Sequence, residues 1–352
     1  MTAVPTHGEA IGGTGAVAGL GWVALARSVV RVAGPDAATY LQGQLSQDLA
    51  ALGPGGWAWA LVLQPQGKLD AFVRVSRIGA DELLLDTDTV VADHLVERLN
   101  RFKLRTKAEV ERLSWQAVAV RATGRPAPAA TEGGTPAHDG GSGAATGAPV
   151  GTGEAPEATG GVVESVDGGG VAVPFRWNGW RGYDLFGPAP VLPAGVSPLG
   201  QERFELARVC AGFPCHGSEL DEGTIPAEAG LVTATVSFTK GCYTGQELVA
   251  RIDSRGSNVP RNLRGLELSG PASAGAVLRG PGDASAPAKE VGRLTTVAGS
   301  DEQGWWALGY VGRGVGAGAR LDVLGSSGGD VIASALVRPL PMALRRAAAP
   351  EP

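Results

Sequence analysis

The sequence is poor in lysine. Of 30 basic residues only five are Lys, at 68, 103, 107, 240 and 289. Such an excess of Arg reflects genome composition more than function, and it makes each Lys a position to inspect. Cysteine is also scarce. Cys210, Cys215 and Cys242 are too few to staple a 352-residue chain by disulfides. No run of about 18 uninterrupted apolar residues occurs, so no membrane span is expected. No Lys or Arg precedes Arg27, so the positive start of a secretory signal is lacking. A cytoplasmic protein is expected. A net charge of −5 gives no overall pull toward nucleic acid, and no direct contact with it is expected. The densest basic stretch, Arg98, Arg101, Lys103, Arg105 and Lys107, reads as a solvated helix end followed by an edge strand.

Glycine and proline are abundant. With 55 Gly and 24 Pro they make 79 of 352 residues, or 22%. That excludes a compact helical bundle, since both residues are costly inside helices. No Gly-X-Y period is present, which excludes collagen. With 43% hydrophobic residues and a small net charge, wholesale disorder is excluded too.

The pattern along the chain is mixed. Residues 1–20 form a loose leader without period. Val23–Val32 reads as one strand, ended by Gly34-Pro35-Asp36. Tyr40, Leu41, Leu45 and Leu49 then recur at helical spacing. Trp57–Leu63 and Leu69–Ile78 are strands joined by a turn at Gln64-Pro65-Gln66-Gly67-Lys68. After a strand at Glu82–Asp86, Val91, Leu95, Val96, Leu99 and Phe102 mark an amphipathic helix capped by Asp86 or Asp88. Residues 122–161 lack period and aromatics and read as a disordered Gly/Ala/Pro linker, in which His138 is inert. Strands resume at 161–186, and Gln201–Val209 is a helix. Beyond residue 261 short strands punctuated by Gly and Pro predict a small antiparallel barrel.

One cysteine stands in unusual company. Ser237-Phe238-Thr239-Lys240-Gly241-Cys242-Tyr243-Thr244-Gly245-Gln246-Glu247 crowds polar and flexible residues around Cys242, with Arg251 following. Cations beside a thiol favour its thiolate, the form used by nucleophiles, redox centres and metal ligands. Gly241 and Gly245 permit positive φ or close backbone approach. A structural Cys in a glycine turn fits the same residues. Cys210, Cys215 and His216 have no common zinc spacing and read as small apolar residues at a helix end. Asp36, Asp48 and Asp184 are candidate bases, though surface or capping roles suit them better. No metal site is assigned.

Lys240-Gly241-Cys242-Tyr243-Thr244-Gly245-Gln246-Glu247 with Ala250-Arg251 resembles the signature of the YgfZ-type folate-binding proteins. These are relatives of the glycine-cleavage aminomethyltransferase and of a mitochondrial iron–sulfur assembly factor. Gly34–Ala37, Leu41–Asp48, Gln64–Lys68, Ala211–Pro214, Thr224–Pro226 and Arg255–Asn258 extend the likeness. It implies an α+β fold: a ring of three subdomains, with a split folate-binding domain of antiparallel sheets and packed helices and a C-terminal small antiparallel β-barrel. The halves of the folate domain would span 21–121 and 162–260, the barrel 261–342 and a tail 343–352. The resemblance implies tetrahydrofolate or a one-carbon derivative as cofactor, and iron–sulfur client proteins or assembly machinery as partners, including enzymes that modify tRNA. It makes Cys242 the essential thiol, with Lys240, Tyr243, Gln246 and Arg251 as its shell and as folate-binding residues. Phe204 falls at an aromatic folate contact, and Arg27 near a second one, where a guanidinium plane would replace the ring. Cys210 stands where many relatives carry an acid. Whether a reaction is catalysed is left open. An aminomethyltransferase and a cysteine-based metal or redox module are the alternatives.

Overall fold

The computed structural model describes residues 20–122, 162–256, 258–280, 289–325 and 329–342. The expected linker 122–161 and tail 343–352 therefore lie outside the described residues except for Ala122, and the leader 1–20 except for Leu20. The elements in chain order begin β1 (Leu20–Ala24), β2 (Arg27–Ala33), α1 (Ala37–Gln44), β3 (Trp57–Leu63), β4 (Leu69–Arg77) and β5 (Glu82–Asp88). Next come α2 (Thr89–Phe102), β6 (Glu109–Leu113), β7 (Gln116–Ala122), β8 (Glu164–Val166), β9 (Gly170–Trp177) and β10 (Trp180–Gly187). Then follow β11 (Ser197–Pro198), α3 (Gln201–Ala211), α4 (Val232–Thr235), α5 (Gln246–Ser254) and β12 (Arg261–Leu268). The chain closes with β13 (Val277–Arg279), β14 (Glu290–Ser300), β15 (Gly304–Gly312), β16 (Arg320–Leu324) and β17 (Val331–Arg338).

The fold is α+β. One sheet runs β3-β4-β5-β2-β6, a second runs β11-β1-β7-β10-β9-β8, and β12-β15-β14-β13-β16-β17 close into the expected barrel. The run read as a single strand, Val23–Val32, is broken at Leu25-Ala26. β1 pairs with β7 in the second sheet and β2 pairs with β5 in the first. The two connecting residues divide between the ladders: Leu25 N donates to Ala117 O of β7, and Ala26 O accepts from Thr89 N just beyond β5. One apolar run thus feeds two sheets, which periodicity along a single strand does not reveal.

Helix α2 follows its spacing, with Leu95 and Leu99 buried against the first sheet. Helix α1 ends at Gln44, short of the predicted Leu49. Leu45 turns extended and bridges to Val62. The carbonyls of Gln42, Leu45 and Gln47 all accept from the Lys240 ammonium, a cation at a helix C-terminus. Helix α3 ends on Gly212 at φ 68, where the left-handed cap suits glycine.

The main core lies between the two sheets. Nine of the chain's 19 aromatic residues gather in it, from Trp57 to Tyr243. Trp59 is central, 4.9 Å from the Phe72 ring and 5.3 Å from Phe213. Among the described residues no helix is long and apolar enough to cross a membrane.

Candidate functional site

Above this aromatic core lies a cavity of about 310 Å³. Its walls come from the β1–β2 connection, the β5–α2 junction, β7, β9, β10 and α3. The apolar wall holds Phe175, Trp180 and Phe204, with Trp180 and Phe204 centroids 5.1 Å apart. The polar wall holds Arg27, Asp88, Arg121, Asp184, Glu205 and Arg208, and Arg74 and Asp86, which do not line the cavity, tie it to the first sheet. Cross-strand neighbours Trp59, Arg74 and Asp86 place a guanidinium over the Trp59 ring, 5.3 Å from its centroid. Arg74 Nε donates to Asp86 at 2.8 Å and Nη2 donates to Asp184 at 2.7 Å, joining the two sheets. Arg121 lies over Phe175 at 3.8 Å. Its Nη2 sits 2.7 Å from Asp184 Oδ1, an ion contact outside hydrogen-bond geometry. Asp184 Oδ1 and Arg121 Nε are therefore buried without a hydrogen bond. Burial opposes the Asp184 charge, but Arg121, Arg74 and Arg27 outweigh it and hold the carboxyl below its ordinary value.

Two of the residues singled out by sequence meet here. Phe204 and Arg27 both line the cavity. Arg27 is not a free stacking plane. It donates to Asp86 through Nε at 2.8 Å and to Asp88 through Nη1 at 3.2 Å. Asp88 begins α2 without capping it by its side chain; its carboxylate takes Arg27 and the backbone N–H of His216 instead.

The other five site residues lie on a separate loop and on α5, which follows it, and none of them, though expected to bind folate or carry the thiol chemistry, lines this cavity. Cys242 is exposed, just ahead of α5. Lys240 is 8% exposed and its three carbonyl bonds, at 2.6, 2.7 and 2.9 Å, bind the end of α1 to the loop. Burial draws its pKa down to about 8, against the pull of Asp48. The Tyr243 ring packs 5.1 Å from that ammonium, its hydroxyl buried without a partner and its pKa pushed up to about 12 by burial. Gln246 accepts from Tyr243 N at 3.4 Å, closing the first turn of α5. Arg251 pairs with Glu247 on the exposed face of α5. The cations placed beside Cys242 by sequence are thus engaged elsewhere. Of the two glycines, Gly245 carries the structural demand. It has φ +82, and a Cβ there would lie 2.6 Å from Gln64 O; Gly241 faces open space.

Asp36 and Asp48 bond neighbouring backbone and side chains, as surface residues do. Asp184 is 1% exposed, contrary to the surface or capping role expected of it. A charged residue inside an apolar strand, beside Trp180 and Phe186, was the available signal. Arg121 and Arg74 were missed for lack of any motif. Cys215 also lines the cavity, its pKa raised by burial first and then by Asp88, while Cys210 is buried under α3. His216 Nε2 accepts from Phe72 N at 2.9 Å. Among the described residues no group of three His, Cys, Asp or Glu side chains is arranged to hold a metal.

A solved structure of the glycine cleavage system aminomethyltransferase T from Bartonella henselae superposes with a TM-score of 0.69, over 93% of this chain and 88% of that one, at 17% identity. The chain has the aminomethyltransferase fold. A chloroplastic protein of Arabidopsis thaliana described as a transferase is 34% identical over 122 residues, 34% of this chain and 26% of its own length. The mitochondrial iron-sulfur cluster assembly factor IBA57 of Mus musculus is 29% identical over 278 residues, 72% of this chain and 68% of that protein. The chain thus spans about a quarter of the first relative and about two thirds of the second. No family model matches it.

Proposed function

We propose that this protein binds tetrahydrofolate, or a one-carbon derivative, in the cavity of Phe204 and Arg27 and assists the assembly or repair of iron–sulfur proteins through Cys242. The carrying observation is the cavity wall. It sets the Phe204 and Trp180 rings beside the charged side chains Arg27, Asp88, Arg121 and Asp184. A pterin offers flat faces for the first and donor and acceptor edges for the second. Phe204 and Trp180 would hold the ring, and Asp184 and Arg121 would orient its edge. Folate, when bound, supplies a carrier for one-carbon units. The likeness to a mitochondrial iron-sulfur cluster assembly factor supports the second half of the reading.

Cys242 is the exposed thiol of the three, on a loop braced by Lys240 and Gly245. Such a sulfur can reach a partner's cluster or persulfide without opening the core. Lys240, Tyr243, Gln246 and Arg251 act as its frame. All three thiols are free, which suits a reducing cytoplasm. Clients that modify tRNA belong to the same reading.

The test has two arms. Titration with tetrahydrofolate should show binding to wild type that Phe204→Ala weakens and Cys242→Ala leaves intact. In a strain lacking the protein, Cys242→Ala should fail to restore iron–sulfur enzyme activity; full rescue would end the thiol's role. The fold supports a second reading, transfer of an aminomethyl carbon to folate. Methylene-tetrahydrofolate formed from a lipoyl-carrier intermediate would establish that one.

A further inference from the structure

The end of α2 presents cations and large apolar side chains together. Arg101, Arg105 and Lys107 are exposed and Lys103 is half-buried. Between them Phe102 is 44% exposed and Leu104 81%. Arg31, Arg112 and Arg98 nearby all have carboxylate partners. Among the described residues Arg101, Lys103, Arg105 and Lys107 have none, since every ion pair there involves other cations. Four unpaired cations in seven residues are unusual on a chain of net charge −5. Phe102 is held in place rather than loose: the Arg98 guanidinium covers one face at 3.9 Å.

The helix that carries this surface is anchored on the same segment as the Cys242 loop. Arg98 donates to Gln44 Oε1 at 3.2 Å and to Leu63 O at 3.3 Å. Lys240 grips the same segment, through Gln42 and Leu45, and a Cβ on Gly245 would lie 2.8 Å from Leu63 Cβ. Residues 42–47 thus support both Arg98 of α2 and Lys240 of the loop.

We propose that Arg101, Phe102, Lys103, Leu104, Arg105 and Lys107 form a docking surface for an acidic, apolar-containing segment of a partner protein. Charge complementarity selects an acidic occupant. The exposed Leu104 and Phe102 select a polypeptide, because aliphatic carbon gains nothing against phosphate and one aromatic makes no stacking track. The overall negative charge opposes nucleic acid and anionic bilayers alike, whereas a short acidic segment feels mainly the local cations within a Debye length. The surface does not depend on folate binding or on the Cys242 sulfur.

The test uses the full chain and a short fluorescein-labelled peptide alternating Glu with Leu and Phe. Wild type should bind it with an affinity that falls as salt rises. Arg101→Glu/Lys103→Glu/Arg105→Glu should weaken binding by about tenfold or more. Phe102→Ser/Leu104→Ser should weaken it about fivefold and abolish the preference over a Glu/Ser peptide. These side chains lie outside the core, and circular dichroism would check folding; if the triple variant unfolds, Lys103→Gln/Arg105→Gln carries the charge arm. Unchanged affinity in the charge variants would overturn the proposal. So would displacement of the peptide by single-stranded RNA or phosphatidylserine vesicles that bind more tightly and depend on the same residues.

Discussion

Arg74 and Asp184 meet at 2.7 Å across 110 positions of sequence, and both are buried. This contact joins the sheet carrying β4 to the sheet carrying β10, at the floor of the polar cavity wall. Removing Asp184 leaves Arg121 buried without its carboxylate and Arg74 with Asp86 alone. Asp184→Leu should cost about 3–5 kcal/mol, read by urea unfolding. The folded-state pKa of Asp184 is depressed below its ordinary value of 3.8. Its contribution is therefore complete above that value and is lost as pH falls through the lower folded one. Asp184→Asn should flatten the acid limb of the stability curve; an unchanged limb would show that other carboxylates govern it.

Phe204 packs against Trp180 in the apolar wall, the ring planes tilted by 57°. Phe204→Ala removes one face of the proposed ligand slot. Affinity for tetrahydrofolate should drop about tenfold, roughly 1.4 kcal/mol, measured by calorimetry. Equal affinity in the variant would move the ligand out of this cavity.

The three cysteines should separate by reactivity. Burial pushes the Cys210 pKa up to about 12 and raises that of Cys215. Cys242 is exposed. Alkylation of the native protein, followed by mass spectrometry, should label Cys242 first, Cys215 on the cavity wall more slowly, and Cys210 only on unfolding. Labelling of Cys210 at the rate of Cys242 would contradict the burial of its thiol.

Lys240 has a folded pKa of about 8 against an ordinary 10.5. Between those values the unfolded chain holds a proton that the folded one has released, so this group's contribution to stability rises with pH across that window. An NMR titration of the lysine side chains should show one midpoint near 8, absent in Lys240→Met. That variant also strands three carbonyls at the end of α1 and should lose about 2–4 kcal/mol.

Gly245 and Gly241 should respond differently to alanine. Gly245→Ala forces a side chain into a left-handed backbone and against Gln64 O, at a cost of about 1–3 kcal/mol. Gly241→Ala meets nothing and should be close to neutral. Thermal unfolding of the pair distinguishes them.

Local elements were legible where local physics decides them. The spacing of Val91, Leu95 and Leu99 marks α2, and Pro65 with Gly67 marks the turn whose Gly67 N bonds Gln64 O. The Cys242 octapeptide was recognisable as a unit, and its position ahead of a helix suits Gly245. Legibility failed where one stretch serves two partners. Leu25-Ala26 divides a continuous apolar run between two sheets, and the helical spacing of Leu45 and Leu49 outlasts α1. In both places tertiary hydrogen bonds override a locally consistent pattern.

By itself the chain determined its strand-rich α+β character, the barrel and the single cysteine worth following, because periodicity, turn residues and short motifs act over a few positions. Only the tertiary structure decided that Phe204 and Arg27 share a cavity, that Asp184 is a buried member of its wall and that Lys240 braces a helix end rather than attending a thiol. The reason is physical. Burial and charge pairing belong to contacts between distant segments, and the worth of a charged side chain is set by the partner that folding brings to it.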